Sequence, residues 1–229
     1  MYPDTLSSTA PIAPQYSILV VDDHPIIRHG VSQTLGFEPD LQVVAEASSA
    51  AEALDALRKF SADLAVIDVS LNGTNGIELI KQIRTEHPRL PLLVLSMHDE
   101  SLYALRALRA GAGGYIMKRE APDLLLTAVR RVLGGEVYLS PTLERRVSES
   151  RPAEEPPPAT TPIDTLTDRE LEVLDLVGQG HHTRDIAQRL ALSAKTIETH
   201  RLNMKDKLGL KTAPELIRYA VNWVRSQAH

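Results

Sequence analysis

The first half of the chain alternates short apolar runs with longer segments of helical period. The apolar runs are Ile18–Val21, Leu41–Ala45, Leu64–Ile67, Leu92–Leu95 and Tyr115–Met117, each of a length typical of a buried strand. Helix-compatible spacing follows the runs, at Ile26–Leu35, Ala50–Phe60, Gly76–Arg84, Ser101–Ala110 and Pro122–Leu133. This alternation predicts an α/β fold, a doubly wound five-stranded parallel sheet with helices on both faces.

Charge and proline content divide the chain into two domains. Residues 1–164 carry 15 Lys and Arg against 22 Asp and Glu, whereas residues 165–229 carry 10 against 8. The stretch SESRPAEEPPPATTPID between them contains three consecutive prolines, which favour an extended spacer. We therefore predict a flexible N-terminal tail over 1–16, a first domain over 17–138, a Pro-rich linker over 139–164 and a second domain over 165–229.

Two absences narrow the class of protein. The sequence has no cysteine, which excludes disulfide frameworks, cysteine-zinc sites and thiol nucleophiles. It also has no signal-peptide pattern and no uninterrupted apolar stretch long enough to span a membrane. We expect a cytoplasmic protein without a membrane partner.

Polar residues stand where the predicted strands end. Asp22 and Asp23 follow the first strand, Asp68 the third, Ser96 the fourth and Lys118 the fifth. In a parallel sheet these ends meet at one edge, where the ligand crevice lies. Carboxylates crowded there repel one another unless a cation sits among them, and Mg²⁺ prefers such oxygens. With Lys118 and the Ser96 hydroxyl, the set suits phosphoryl transfer, and Asp68 is the natural nucleophile.

Other interpretations fit some of these residues singly. Asp22 and Asp23 also fit a strand-to-helix turn in which Asp23 caps the helix that follows. Tyr115, in a strand, also fits a core position. An aspartyl-phosphate hydrolase would use a strand-end aspartate too, but it usually has a second acid two residues further on, where this chain has Ser70.

The motifs VVDDHP, IDVSLNGTNGIEL, LSMHDE and GAGGYIMK resemble those of a bacterial response-regulator receiver domain, over about residues 17–135. The resemblance implies a flavodoxin-like fold in which Asp68 accepts a phosphoryl group from a sensor histidine kinase. It implies that Mg²⁺ is held by Asp22, through water, by Asp23 and Asp68, and by the backbone carbonyl of Ser70. Ser96 and Lys118 would contact phosphoryl oxygens, and Tyr115 would be the aromatic switch. The chain departs from the family pattern at Asn72 and Arg119, where proline is usual.

The second half has no strand pattern and four helical segments with start signals. Thr167 to Glu170 is a capping box that opens the first, through Val177. Thr183 begins a second through Leu190, Ser193 caps a third through Leu208, and Thr212 opens the last. The short connection between the second and third predicts a helix-turn-helix. On spacing alone, the third helix fits a DNA groove or a solvated amphipathic surface.

LTDRELEVLDLVGQG, TRDIAQRLALSAKTIETHRLNMKDKLGLK and APELIRYAV resemble the four-helix DNA-binding domain of the LuxR/NarL/FixJ group. By that resemblance Lys195, Thr196, Arg201 and Lys205 hold phosphates of double-stranded DNA, while Glu198, Thr199 and Leu202 face base edges. The last helix would pack within the domain and offer a surface for a homodimer.

Together the two resemblances imply a response regulator of the NarL/FixJ type, a DNA-binding transcription regulator of a two-component system. We expect no enzymatic activity beyond intrinsic autophosphorylation and dephosphorylation, and we expect phosphorylation to release the third helix for DNA. The alternatives are a receiver that works without phosphorylation and a quorum-sensing LuxR regulator. The latter has a ligand-binding first half without the strand-end acids.

Overall fold

The computed structural model describes residues 15–98, 100–141, 143–145 and 162–227. A five-stranded sheet forms the centre of the first domain, in the spatial order β2-β1-β3-β4-β5. The strands are β1 (Tyr16–Val21), β2 (Leu41–Ala47), β3 (Leu64–Asp68), β4 (Leu92–Ser96) and β5 (Gly114–Met117). All neighbouring strands are parallel, and β3 and β4 are buried along their whole length. The predicted fold is confirmed, and every predicted strand lies within an observed one.

Five helices cover the two faces of the sheet: α1 (Pro25–Gly36), α2 (Ala50–Lys59), α3 (Gly76–Glu86), α4 (Glu100–Ala110) and α5 (Ala121–Leu133). Successive strand residues point to opposite faces, so Ile67 packs with the side chains of α2, α3 and α4 while Val66 packs with those of α1 and α5. Side-chain caps fix two of the helix starts. Ser49 accepts a hydrogen bond from the Glu52 amide, and Asn75 accepts one from the Ile77 amide.

The first domain continues past the boundary predicted at residue 138. Tyr138 forms a bridge with Gly114 at the edge of β5, and the side chains of Leu139 and Leu143 are buried in the larger apolar cluster. The start of the predicted linker is therefore packed structure, because these apolar side chains belong to the core instead of facing water. Residues 146–161 of that linker lie outside the described residues.

A short hairpin that the sequence analysis did not predict separates β3 from α3. Ser70–Leu71 pairs antiparallel with Thr74–Asn75, and Gly73 at its tip has a φ of 79°. Gly76 then opens α3 against the end of β3. A Cβ on Gly76 would lie 2.0 Å from the Asp68 carbonyl oxygen, so only glycine permits this approach.

The second domain is helical in the described residues. A 3-10 turn, Pro162–Thr165, precedes α6 (Asp168–Gly178), α7 (Thr183–Arg189), α8 (Ala194–Leu208) and α9 (Ala213–Gln227). The predicted capping box is present, since Thr167 and Glu170 each bind the other's backbone amide. Its core contains Leu174, Ile186, Ile197, Met204 and Leu216, all fully buried. The predicted four-helix domain with its helix-turn-helix is confirmed.

None of the helices in the described ranges combines the length and the apolar character needed to cross a bilayer.

Candidate functional site

The strand-end acids meet at the carboxyl edge of the sheet. Ligand atoms of Asp22, Asp23, His24 and Asp68 all lie within 4.8 Å of one another. The Asp22 and Asp68 side chains are buried, and Asp23 is partly exposed. Helix α1 begins at Pro25 with His24 as its N-cap residue, so Asp23 does not cap it. The three carboxylates, which we call the acidic cluster, therefore converge as predicted, and the capping alternative for Asp23 is wrong.

Lys118 neutralises part of the acidic cluster. Its Nζ lies 2.7 Å from Asp68 Oδ2 and 2.7 Å from Asp22 Oδ2. Burial alone would lower the pKa of Lys118, but the charges of Asp68 and Asp22 outweigh it and raise that pKa. The peptide bond that follows Lys118 is trans. Lys118 thus stays protonated at the position where a second positive charge was predicted.

Asp68 has a strongly perturbed carboxyl group. Burial raises its pKa to about 6, the Lys118 charge opposes the rise, and the Asp22 charge adds to it. The Ser70 amide donates a hydrogen bond of 3.3 Å to Asp68 Oδ1. A carboxylate held in this environment is poorly solvated, which favours its attack on an electrophile or its binding to a cation.

Ser96 and Tyr115 are linked through the backbone of His98, a residue for which the sequence predicted no role at the site. Ser96 Oγ accepts a hydrogen bond from the His98 amide at 3.1 Å, and the Tyr115 hydroxyl donates to the His98 carbonyl at 2.8 Å. Both Ser96 and Tyr115 are buried. Tyr115 is therefore a core residue whose hydroxyl binds the loop after β4, and its role as a switch stays a prediction.

The His98 side chain makes three further contacts. Its Nε2 lies 2.8 Å from Ser70 Oγ, its ring stacks on Tyr103 with 4.4 Å between centroids, and its Nδ1 lies 3.3 Å from Asp175 Oδ2. Asp175 belongs to α6, so His98 connects the hairpin that follows Asp68, through Ser70, to the second domain. The sequence carries one signal for this role, the position of His98 two residues after the strand-end serine.

His24 is a second residue at the site for which the sequence predicted no role. Its ring is 64% exposed, yet Nδ1 lies 2.7 Å from Asp23 Oδ1. The sequence signal was its place directly after the two aspartates. His24 is therefore a candidate for contact with a cation or a phosphoryl group bound at the acidic cluster.

The predicted DNA-binding residues form one stripe along α8. The side of the helix opposite to the stripe is buried at Ile197 and Met204. Lys195, Glu198, Thr199 and Leu202 are exposed, and Thr196, Arg201 and Lys205 are partly exposed. In the part of the chain that the structure describes, the first domain leaves this stripe accessible. The expectation that phosphorylation releases the third helix for DNA stays a prediction, and such a release would have to act other than by uncovering this stripe.

Two residues of the stripe bind Thr183 at the start of α7. The Thr183 hydroxyl donates a 2.7 Å hydrogen bond to Glu198 and accepts one of 2.8 Å from Arg201. The Glu198 side chain nevertheless remains 61% exposed. Thr183 thus orients the carboxylate of Glu198 and the guanidinium of Arg201 on α8.

Comparison with known proteins matches both halves of the chain. The model of the response regulator receiver domain matches residues 18–130, and the model of the bacterial regulatory proteins of the luxR family matches residues 164–220. The oxygen regulatory protein NreC of Staphylococcus aureus is 36% identical over 208 residues, which are 89% of this chain and 96% of that protein.

Two solved structures are also similar. A two-component response regulator of the LuxR family from Aurantimonas is 37% identical over 60% of this chain and 98% of its own, with a TM-score of 0.56. RcsB from Salmonella enterica serovar Typhimurium, bound to a promoter with the phosphomimetic BeF3-, is 27% identical over 90% and 98%, with a TM-score of 0.61. The chain belongs to the two-component response regulators of the NarL/FixJ type, in which a receiver domain precedes a LuxR-type DNA-binding domain.

Proposed function

We propose that Asp68 is the phosphoacceptor of this response regulator and that a sensor histidine kinase is its donor. The observation that carries the proposal is the buried Asp68 carboxylate at the end of the central strand, 2.7 Å from Lys118 and beside Asp22. One Asp68 oxygen attacks phosphorus, the bond from phosphorus to the donor nitrogen breaks, and its electron pair stays on the donor imidazole. Lys118 neutralises charge on the transferred group.

The acidic cluster fits Mg²⁺. Asp22 Oδ2 and Asp23 Oδ1 are buried oxygens that lie near Lys118 and His24 without a well-aligned hydrogen bond to either. Carboxylates and a backbone carbonyl are ligands that this hard cation accepts. Asp22, Asp23 and Asp68 would hold it together with the Ser70 carbonyl. When bound, Mg²⁺ supplies positive charge to the phosphoryl oxygens.

Ser96, Tyr115 and His98 would carry the signal away from Asp68. The Ser96 hydroxyl binds a phosphoryl oxygen in the proposal, and its shift moves the His98 backbone that both Ser96 and Tyr115 hold. Because Tyr115 is fully packed, the β4–α4 loop would switch between two distinct positions and would not shift gradually.

We further propose that the protein regulates transcription as a homodimer on double-stranded DNA, with α8 in the major groove. Lys195 and Lys205 lie toward the two ends of the exposed stripe, as phosphate contacts on both sides of a groove require. The similar RcsB structure is bound to a promoter, which supports the same use of this domain. We place the protein in the cytoplasm and assign it no substrate other than its phosphodonor.

Phosphorylation of the full chain by phosphoramidate with Mg²⁺ tests the acceptor. Intact mass should show one added phosphoryl group on the wild type and none on Asp68→Asn, because the amide is a poor nucleophile. Asp55→Asn, the same change at an exposed site on α2, is the matched control and should label normally. Labelling of the Asp68 variant at the wild-type rate would show that Asp68 is not the acceptor.

A further inference from the structure

The exposed stripe of α8 carries one acid. Of the residues predicted to contact DNA, Glu198 alone bears a negative charge. It lies one turn after Lys195 and two turns before Lys205, so the three residues share one face of the helix. A carboxylate on this face is repelled by DNA phosphates unless it meets a hydrogen-bond donor on a base. Glu198 therefore either accepts from a base or weakens binding.

The Glu198 carboxylate is held by the first residue of α7. The Thr183 hydroxyl donates a hydrogen bond of 2.7 Å to Glu198 Oε1 and accepts one of 2.8 Å from Arg201 Nη1. Arg201 Nη1 itself lies 4.0 Å from Glu198 Oε1, too far for a hydrogen bond of its own. The Thr183 hydroxyl therefore makes the connection that the two charged groups do not make directly.

The direction of these hydrogen bonds follows from the groups that form them. A guanidinium only donates and a carboxylate only accepts, so the one proton of the Thr183 hydroxyl must point at Glu198. Glu198 Oε1 is thereby engaged. The other carboxylate oxygen, Oε2, has no hydrogen-bond partner in the described part of the chain, and the side chain is 61% exposed. Oε2 is thus available to accept from a ligand.

The opposite end of this set is held inside the domain. The Arg201 side chain is only 16% exposed. It lines a cavity together with Val177 of α6 and Ile217 of α9. Through Arg201 and Thr183, the position of the Glu198 carboxylate is therefore set by the packing of the domain. A reading group that is already in place loses less freedom on binding than a mobile side chain does.

A carboxylate oxygen fixed in a major groove selects one base. Cytosine presents an amino donor there, whereas guanine presents two acceptors and thymine presents one. Adenine also presents an amino group, but its N7 acceptor lies beside that group and repels an acid. Glu198 Oε2 therefore fits cytosine and disfavours the other three bases.

We propose that Thr183 is a positioning residue for base selection, whose hydroxyl holds Glu198 so that Oε2 accepts from a cytosine amino group. The inference rests on the proposed placement of α8 in the major groove. Without the hydroxyl, Glu198 and Arg201 would pair directly, which draws the carboxylate away from the base. Preference at one base pair per half-site would then be lost. The net charge of the surface, and with it the affinity for unrelated DNA, would stay the same.

Selection from a pool of duplexes with a randomised central segment tests this in the full chain, treated with phosphoramidate and Mg²⁺. Sequencing of bound and unbound duplexes gives the preference at each position. Wild type should prefer cytosine by about tenfold or more at one position per half-site. Thr183→Val keeps the shape of the side chain but lacks the hydroxyl. It should lose that preference alone, with an unchanged salt slope, whereas Thr183→Ser should retain the preference.

The controls separate positioning from a merely structural role. Thr85→Val removes a hydroxyl from an exposed site on α3 and should select as wild type does. Thr183→Val combined with Glu198→Ala should have the profile of Glu198→Ala alone, because both changes act through one carboxylate. Urea unfolding followed by Trp223 fluorescence checks that the second domain is folded. Thr183→Ala removes the same hydroxyl with less bulk and should give the profile of the Val variant.

The outcomes distinguish the inference from the proposed function. A wild-type profile for both Thr183→Val and Thr183→Ala would overturn the positioning role. Weaker binding to all duplexes alike, with the cytosine preference kept, would overturn it too, because the hydroxyl would then contact a phosphate. If instead Lys195→Ala and Lys205→Ala bind every duplex as wild type does, α8 does not enter the groove and the proposed function fails.

Discussion

Replacement of Asp68 by Asn should stabilise the metal-free receiver at neutral pH. The Asp68 carboxyl has a pKa of about 6 in the folded protein against an ordinary value of 3.8. At about 1.36 kcal/mol per pKa unit, keeping this group ionised in the fold costs about 3 kcal/mol above pH 7. Asn carries no charge and avoids that cost. The substitution also removes the ion pair between Lys118 and Asp68 and leaves Lys118 with Asp22 alone. This loss offsets part of the gain, so we expect a net increase of about 1–2 kcal/mol in the free energy of unfolding.

The pH dependence of that gain is the sharper expectation. With its pKa raised, Asp68 binds protons more tightly in the folded than in the unfolded chain, so its contribution to stability is greatest below pH 3.8 and is lost as the pH rises through about 6. The Asn variant does not lose stability in this way, because Asn does not titrate. Its stability relative to wild type should therefore improve by about 2 kcal/mol between roughly pH 4.5 and 7.5.

Urea unfolding in EDTA, followed by circular dichroism at both pH values, measures this difference. Trp223, the only tryptophan, lies in α9, so its fluorescence reports the second domain separately. Asp55→Asn should show no such pH dependence. Addition of Mg²⁺ should stabilise the wild type more than Asp68→Asn, because binding to the folded state adds stability by mass action. A relative stability that does not change with pH would refute the burial argument for Asp68.

Four further substitutions test the signalling and DNA-binding roles. Lys118→Ala should keep part of the phosphorylation by phosphoramidate but lose the phosphorylation-dependent rise in DNA affinity; a full rise in a titration of labelled operator would count against Lys118. Lys195→Ala and Lys205→Ala should each weaken binding to all DNA sequences alike and reduce the salt slope by about one unit, as measured by titrations at several salt concentrations. Glu198→Ala should relax preference at one base position per half-site by about 1–3 kcal/mol. An identical base-by-base profile would mean that Glu198 serves only its bond to Thr183.

The regular elements could be predicted because local signals agree with the packing. Strands β1, β3, β4 and β5 are largely apolar runs that a polar residue closes or follows. Ser49, Thr167 and Ser193 cap helices at the starts that the sequence pattern predicts. Leu139 and Leu143 were assigned to the linker instead. Two leucines in so short a segment are too few to establish a period, and only the folded domain provides the apolar core that they join.

The acidic cluster could be predicted because the parallel sheet brings its residues together whatever the loops do. Domain docking could not, since it depends on the tertiary placement of two units joined by a proline-rich segment. Asp168 and Glu172 had a sufficient local explanation in the first turns of a helix. The local sequence around His98 gives no sign of its contacts with Ser70 and Asp175, which exist only once both domains are folded.

The accessible stripe of α8 constrains how phosphorylation can change DNA binding. Leu202 at its centre is 52% exposed while Asp168 of α6 binds Lys81 and Arg106 of the first domain, so this domain contact does not cover the surface of α8 that would enter a DNA groove. Control must then act on the position of α8 relative to a second copy, because two half-sites at fixed spacing require two domains at fixed spacing. A second domain tied through Arg106 and His98 to its own receiver cannot adjust to that spacing. Loss of these contacts would permit the adjustment without any change in the surface that would read DNA.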